Sequence, residues 1–153
     1  MRPLTHALSG LIFSLLVFAA FPNKLVGVTL IFLSSFLIDV DHYFYYVYHK
    51  RDISLKNAYR WFIRRIEKLD RLSEKEQQKY KRIFLIFHGI EFWAILIFFS
   101  FFHSFFLWIL LGITVHIVLD IIDERKDREL VIGKVSQIYV YIKNKNKKEF
   151  KFK

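Results

Sequence analysis

Cysteine is absent from this chain, which excludes disulfides and thiolate metal sites and leaves the redox compartment unreadable. Lysine and arginine are absent from its four longest apolar segments, residues 4–22, 25–48, 83–102 and 105–122. No small-residue cleavage site precedes Pro22 and Asn23, so the first segment reads as a retained span rather than a removed signal peptide. No internal repeat is evident beyond a generic pairing of hairpins.

What the chain has in quantity is apolar and aromatic residues. They make up 54% and 19% of its 153 residues, with 18 Phe, and this composition points to a membrane protein. Each of the four apolar segments approaches or exceeds the roughly 18 to 20 residues that cross a hydrocarbon core. Short connections at Pro22-Asn23-Lys24 and His103-Ser104 make neighbouring segments antiparallel. The expected fold is all-α and polytopic, with four transmembrane helices arranged as two hairpins. Residues 1–123 would form the membrane domain, including a cytoplasmic loop at 49–82, and residues 124–153 a basic cytoplasmic tail.

Within the loop, Leu55, Tyr59, Phe62, Ile66 and Leu69 recur at helical spacing, with Arg60, Arg64, Arg65, Lys68 and Arg71 between them. The pattern predicts an amphipathic helix on the membrane surface. Ser73 and Glu76 have the spacing of a capping box, which predicts a helix continuing from there into the third span. In the tail, Val131, Val135, Ile138 and Ile142 fit a helix, while Ile138, Val140 and Ile142 fit a strand equally well. Past Ile142 the Lys/Asn-rich composition predicts disorder.

The net charge of +10 is distributed unevenly. Twelve Lys/Arg fall between Lys50 and Arg82 and ten follow Asp123, whereas Lys24 alone lies in the first hairpin turn and none lies at His103-Ser104. The positive-inside rule then places both termini and the central loop in the cytoplasm, with the protein integral to the inner or plasma membrane. Orientation and attraction to anionic lipid headgroups account for the basic residues, so no specific nucleic-acid partner is expected.

Five carboxylates and four histidines lie in or at the ends of the apolar segments: Asp39, Asp41, Glu91, Asp120 and Asp123, with His6, His42, His88 and His116. Buried carboxylates at such depth need partners: protons, loop arginines or metal ions. Counted at about 1.5 Å per helical residue from the outer end of each segment, His6, Asp39, His88 and Asp120 all lie about 21 to 23 Å inward. Helical phase agrees, since His116, Asp120 and Asp123 share one stripe, as do His88 with Glu91 and Asp39 with His42. Five ionised carboxylates carry −5, which two divalent cations reduce to −1 and one reduces to −3. The arithmetic favours two ions. With nitrogen and oxygen donors alone, zinc ranks first, ahead of manganese and iron.

These residues also carry a family resemblance. Thr5-His6, Asp39-Val40-Asp41-His42, a central His, and His116-Ile117-Val118-Leu119-Asp120 resemble the small membrane-bound metal-dependent hydrolases described as LexA-binding and inner-membrane-associated. The similarity runs over about residues 1–123 and implies an integral membrane protein with a metal site and a hydrolase activity. The chain differs at its centre, where His88-Gly89-Ile90-Glu91 stands in place of an Arg and a second Thr-His.

Together these observations lead to a membrane-embedded, cytoplasm-facing hydrolase acting on a phosphoester or lipid phosphate. His6, Asp39, Asp41, His42, His88, His116 and Asp120 are the expected ligands, and Glu91 the general base or bridging carboxylate, with Asp41 also in the catalytic set. Asp123 is expected to orient a ligand histidine. His49 and His103 lie off the common plane and are left out. A divalent-cation or proton transporter, and a non-catalytic scaffold stapled by metal, are the two alternative classes.

Overall fold

The computed structural model describes residues 3–124 and 135–150. Among them the chain is all-helical apart from one isolated parallel bridge between Tyr80 and Lys148. Helix α1 spans Pro3–Ala20, α2 Leu25–Leu37, α3 Val40–Lys50, α4 Leu55–Asp70, α5 Glu74–Gln77, α6 Ile90–Ser100, α7 Ser104–Glu124 and α8 Gln137–Asn144. Two helical stretches, Leu25–Lys50 and Ser104–Ile122, are long and apolar enough to cross a membrane, while α1 and α6 are apolar but shorter.

Helix α7 is the hub, packing against α1, α2 and α6, and α1 also packs on α2. Close approach comes from small residues. A β-carbon on Gly112 would collide with the Ile31 carbonyl oxygen of α2, and one on Gly10 would lie 2.7 Å from Ser35 Cβ. Such small-residue contacts let helix backbones meet without large side chains between them. The bundle is polar inside and apolar outside: His6, Ser14, Ser35, His116 and Asp120 are buried, while Leu8, Ile12, Leu16, Ile95 and Phe98 are exposed. In water that arrangement would leave a large apolar surface uncovered; in lipid it is the stable one.

Two expectations about continuity are corrected. The second segment is broken between α2 and α3, where Asp39 N–H bonds Phe36 O, Asp41 N–H bonds Ile38 O, and His42 N–H bonds Asp39 O. These three-residue steps tighten the turn at the point where the carboxylates emerge. The third segment is not one helix. The capping box at Ser73 forms but launches only the single turn of α5, and the chain then runs extended from residue 81 to a 3₁₀ turn at Ile86–His88 before α6 begins.

The extended stretch is held by the tail, which corrects the expectation of disorder beyond Ile142. Asn144 accepts from Arg82 N–H and donates to Arg82 O, both at 2.9 Å, and Gln137 Oε1 accepts from Leu85 N–H at 2.9 Å. Lys81 N–H bonds Lys148 O, and Lys148 N–H bonds Lys79 O. These tertiary bonds replace helical ones, and they satisfy backbone groups that could not otherwise be buried in an apolar setting. The helix option in the tail is the one observed, in α8, whereas Val131 lies outside the described residues.

Helix α4 matches the amphipathic pattern, with one departure: Arg65, placed by its spacing among the solvent-facing cations, is buried. Its guanidinium donates to Lys81 O at 2.8 Å and lies over the Trp61 and Phe150 rings. Burial pulls its pKa down, from a starting point so high that the cation persists at neutral pH. At the α3–α4 corner, Asp52 accepts from the Tyr46 hydroxyl, Ser54 N–H and the Asn57 amide. These bonds, the tyrosine's foremost, hold its carboxyl below the ordinary value. The lowered pKa means this support is present at neutral pH and is lost only in acid, as pH falls through that value.

Gly112→Ala should destabilise the bundle by about 1 to 3 kcal/mol, because the added methyl meets the Ile31 backbone as well as the Ser34 hydroxyl. Denaturant unfolding in detergent measures it, and a neutral result would mean that α2 and α7 are not locked at this crossing.

Candidate metal centre

Three helices, the α2–α3 break and one turn each deliver an imidazole or a carboxylate to one point inside the bundle. His6 comes from α1, Asp39 from the α2–α3 break, Asp41 and His42 from α3, His88 from the 3₁₀ turn, and His116 and Asp120 from successive turns of α7. His6, Asp41, His88, His116 and Asp120 are all buried, and Asp39 is the most open of the carboxylates, with its side chain 28% exposed.

Ring orientation is dictated from behind. Asp41 Oδ2 lies 3.0 Å from His88 Nδ1 and also accepts from Phe87 N–H, and Asp41 Oδ1 lies 3.1 Å from His42 Nδ1. His116 Nδ1 donates to the Ser35 carbonyl at 2.8 Å. The Nδ1 proton of both His88 and His116 is therefore committed outward, which turns both Nε2 atoms inward, 3.2 Å apart. Two imidazole lone pairs facing each other at that distance repel unless a proton or a metal ion lies between them.

Around this pair stand two carboxylate oxygens. Asp39 Oδ1 is 3.4 Å from His88 Nε2 and 3.5 Å from His116 Nε2, and Asp120 Oδ2 is 3.6 Å from His116 Nε2 and 4.0 Å from His88 Nε2. Donors at about 2.0 to 2.1 Å from a tetrahedral ion are separated from each other by about 3.3 to 3.4 Å. The His88 and His116 nitrogens, with either carboxylate oxygen, thus stand near the separations of ligands around one ion.

Among the described residues, three overlapping sets of side chains could hold an ion: His88 with His116 and Asp120, Asp39 with His42 and His88, and His6 with Asp39 and His116. The His6 ring stacks on that of His116 at 3.8 Å, and its Nε2 lies 3.3 Å from Asp120 Oδ1. Its Nδ1 is buried without a hydrogen-bond partner, the condition of a donor atom whose partner is an ion.

Six of the seven expected ligands contribute to these sets, and Asp41 does not. Its oxygens back the rings of His42 and His88, the arrangement in which a carboxylate fixes the tautomer of a metal-binding histidine. Glu91 is elsewhere. Its carboxylate receives Ser136 Oγ at 2.6 Å and the Gln137 and Ile138 N–H groups at 3.1 Å, so it caps α8, and the base role expected of it does not fit this placement. The Asp123 side chain lies outside the described residues. His49 bonds the Tyr45 carbonyl, and His103 accepts from Phe105 N–H at the α6–α7 turn; neither joins the cluster. The Ser35 carbonyl and the Gln137 and Asn144 amides are the contributors that the sequence analysis missed. A main-chain acceptor leaves no trace in composition, and a lone amide on a short helix reads as solvent-facing.

A cavity of about 460 Å³ adjoins the cluster, lined by His6, Asp39, His42 and Asp120 and by residues of α4, the extended segment and α8. No family model, curated protein or solved structure matches the chain.

His116→Ala should abolish tight metal binding, and Asp41→Asn should weaken it about 10- to 100-fold by releasing His88. His103→Ala should leave it unchanged. Metal titration of the three folded variants tests this, and equal affinity throughout would leave the cluster as packing alone. Separately, Glu91→Ala should expose residues 135–150 to proteolysis, since the N-terminus of α8 loses its anionic cap.

Proposed function

We propose that this protein is a membrane-embedded metal-dependent hydrolase acting on a phosphoester at the cytoplasmic face. The observation that carries the reading is the inward-facing pair of Nε2 atoms, 3.2 Å apart, flanked by Asp39 and Asp120. The four apolar segments cross the bilayer, with both termini and the basic loop in the cytoplasm, in keeping with the one-sided Lys/Arg distribution. The resemblance to membrane-bound metal-dependent hydrolases supports the same reading.

Asp39, His88, His116 and Asp120 hold the ion, and zinc suits their nitrogen and oxygen donors. When bound, such an ion lowers the pKa of a coordinated water and polarises a phosphoryl oxygen. The chain's own part is to position and to move protons. Asp41 holds His88 and His42 in register, and His42, which lines the cavity, takes the proton from the attacking water. His6, stacked on His116, would hold a further ion together with Asp39 and His116. Arg82 and Lys81 on the cavity wall attract an anionic substrate.

Hydrolysis is favoured over transport by how the remaining polar groups are used. Ser14, Thr29, Ser34, Ser100 and Thr114 each donate to a carbonyl of their own helix, and the outer halves of the apolar segments contain no carboxylate or imidazole. An alternating-access pathway needs polar groups free to receive the ion on both sides.

The purified protein should retain at least one equivalent of transition metal and release phosphate from a phosphoester. His42→Gln should keep the metal and lose about 10²- to 10⁴-fold in turnover, the range for removing a general base. Metal retention without turnover of any phosphoester would end the hydrolase reading. For topology, Lys75→Cys should label from the cytoplasmic side only, a clean measurement in a chain without native cysteine, and labelling from outside would invert the site.

A further inference from the structure

The cavity has a second wall that a metal site alone does not require. Beside the cluster, the His42 and Phe62 rings lie 5.2 Å apart, and from there the apolar face of α4 continues along the cavity through Ile63, Ile66 and Leu69. Leu55, Tyr59 and Ile66 of the same wall are 69%, 57% and 46% exposed, so the cavity opens to the surface along α4. The wall is thus continuous from the His/Asp cluster to a surface that an amphipathic helix presents to lipid. Across from it, Lys81 and Arg82 line the same cavity.

We propose that the site takes a phosphate monoester of a long-chain alcohol, drawn from the bilayer, with the phosphate at the cluster and the hydrocarbon along α4. Turnover of this ligand rests on the hydrolase reading, whereas its binding does not. Charge complementarity sets the head: with an ion held at the cluster, a phosphate would meet that ion together with Lys81 and Arg82. Apolar continuity sets the tail, because a small water-soluble phosphoester would leave the α4 wall wet. Each methylene moved from water onto that wall is worth about fourfold in affinity. Hydrolysis joins a water oxygen to phosphorus as the ester P–O bond breaks, yielding inorganic phosphate and the free alcohol, which takes up the remaining proton.

The test uses the metal-loaded full chain in zwitterionic-lipid nanodiscs, with empty nanodiscs as the blank. Phosphate release from dodecyl phosphate is compared with that from methyl phosphate, and binding of both with that of dodecyl maltoside. Dodecyl phosphate should exceed methyl phosphate by at least about a hundredfold in kcat/KM, the value of a few buried methylenes. Phe62→Ala should reduce that preference about tenfold while metal content stays constant. Turnover of both esters without preference overturns the lipid assignment and leaves the hydrolase reading standing. Absence of turnover, with dodecyl phosphate still binding far more tightly than methyl phosphate or dodecyl maltoside, supports the binding site and removes the hydrolase. Dodecyl phosphate binding no tighter than dodecyl maltoside overturns the proposal.

Discussion

Two imidazole nitrogens face each other at 3.2 Å, each with its proton committed to the far side of its ring. This confrontation is the constraint on which the rest of the structure depends. It is unfavourable by itself, and it persists because Asp41 and the Ser35 carbonyl hold the rings from behind while α1, α2 and α7 pack tightly around them. A site built to bind a cation has this form: the protein bears the cost of aligning lone pairs in advance, and the ion recovers it on binding.

Bringing His88 into the constellation requires irregular backbone. An unbroken third helix would have presented that side chain on a helical stripe with Glu91. The chain instead runs extended for several residues and then makes a 3₁₀ turn, so that His88 Nδ1 meets Asp41 on one side and Nε2 meets Asp39 on the other. The exposed amides and carbonyls are met by side chains of Gln137 and Asn144 and by the backbone around Lys148. Glu91, freed from the cluster, anchors the element that supplies these partners. The described part of the tail, residues 135–150, therefore belongs to the cluster's scaffold and contributes no donor to the sets found among the described residues.

Much of this was legible in residues alone. Depth put His6, Asp39, His88 and Asp120 on one level because the chain between each of them and its outer end is mostly helical, and His116 followed by Asp120 reads as a ligand pair because one helical turn separates them, whereas the shared stripe of His88 and Glu91 did not form. What failed to show was whatever depends on tertiary hydrogen bonding. The capping box at Ser73 was real, yet its helix stopped after one turn because the amides beyond it had better partners in the tail. Asp41 and Glu91 have the same chemistry as the ligands, and only the direction of their carboxylates separates supporting roles from coordinating ones. Arg65 looked like another solvated cation in a basic stripe, and nothing local marks it as the one turned beneath the loop.

The strap formed by residues 136–148 also carries a consequence for the order in which the protein is made. The segment bearing His88 is synthesised well before the residues that pin it, and α7, which supplies His116 and Asp120, lies between the two. During translation the extended stretch thus passes through a period in which its amides have no tertiary partners and His88 has no fixed direction. The arrangement of His88 beside His116 and Asp120 is therefore completed late, after all the apolar segments have been made, so a half-made chain lacks the full His/Asp cluster.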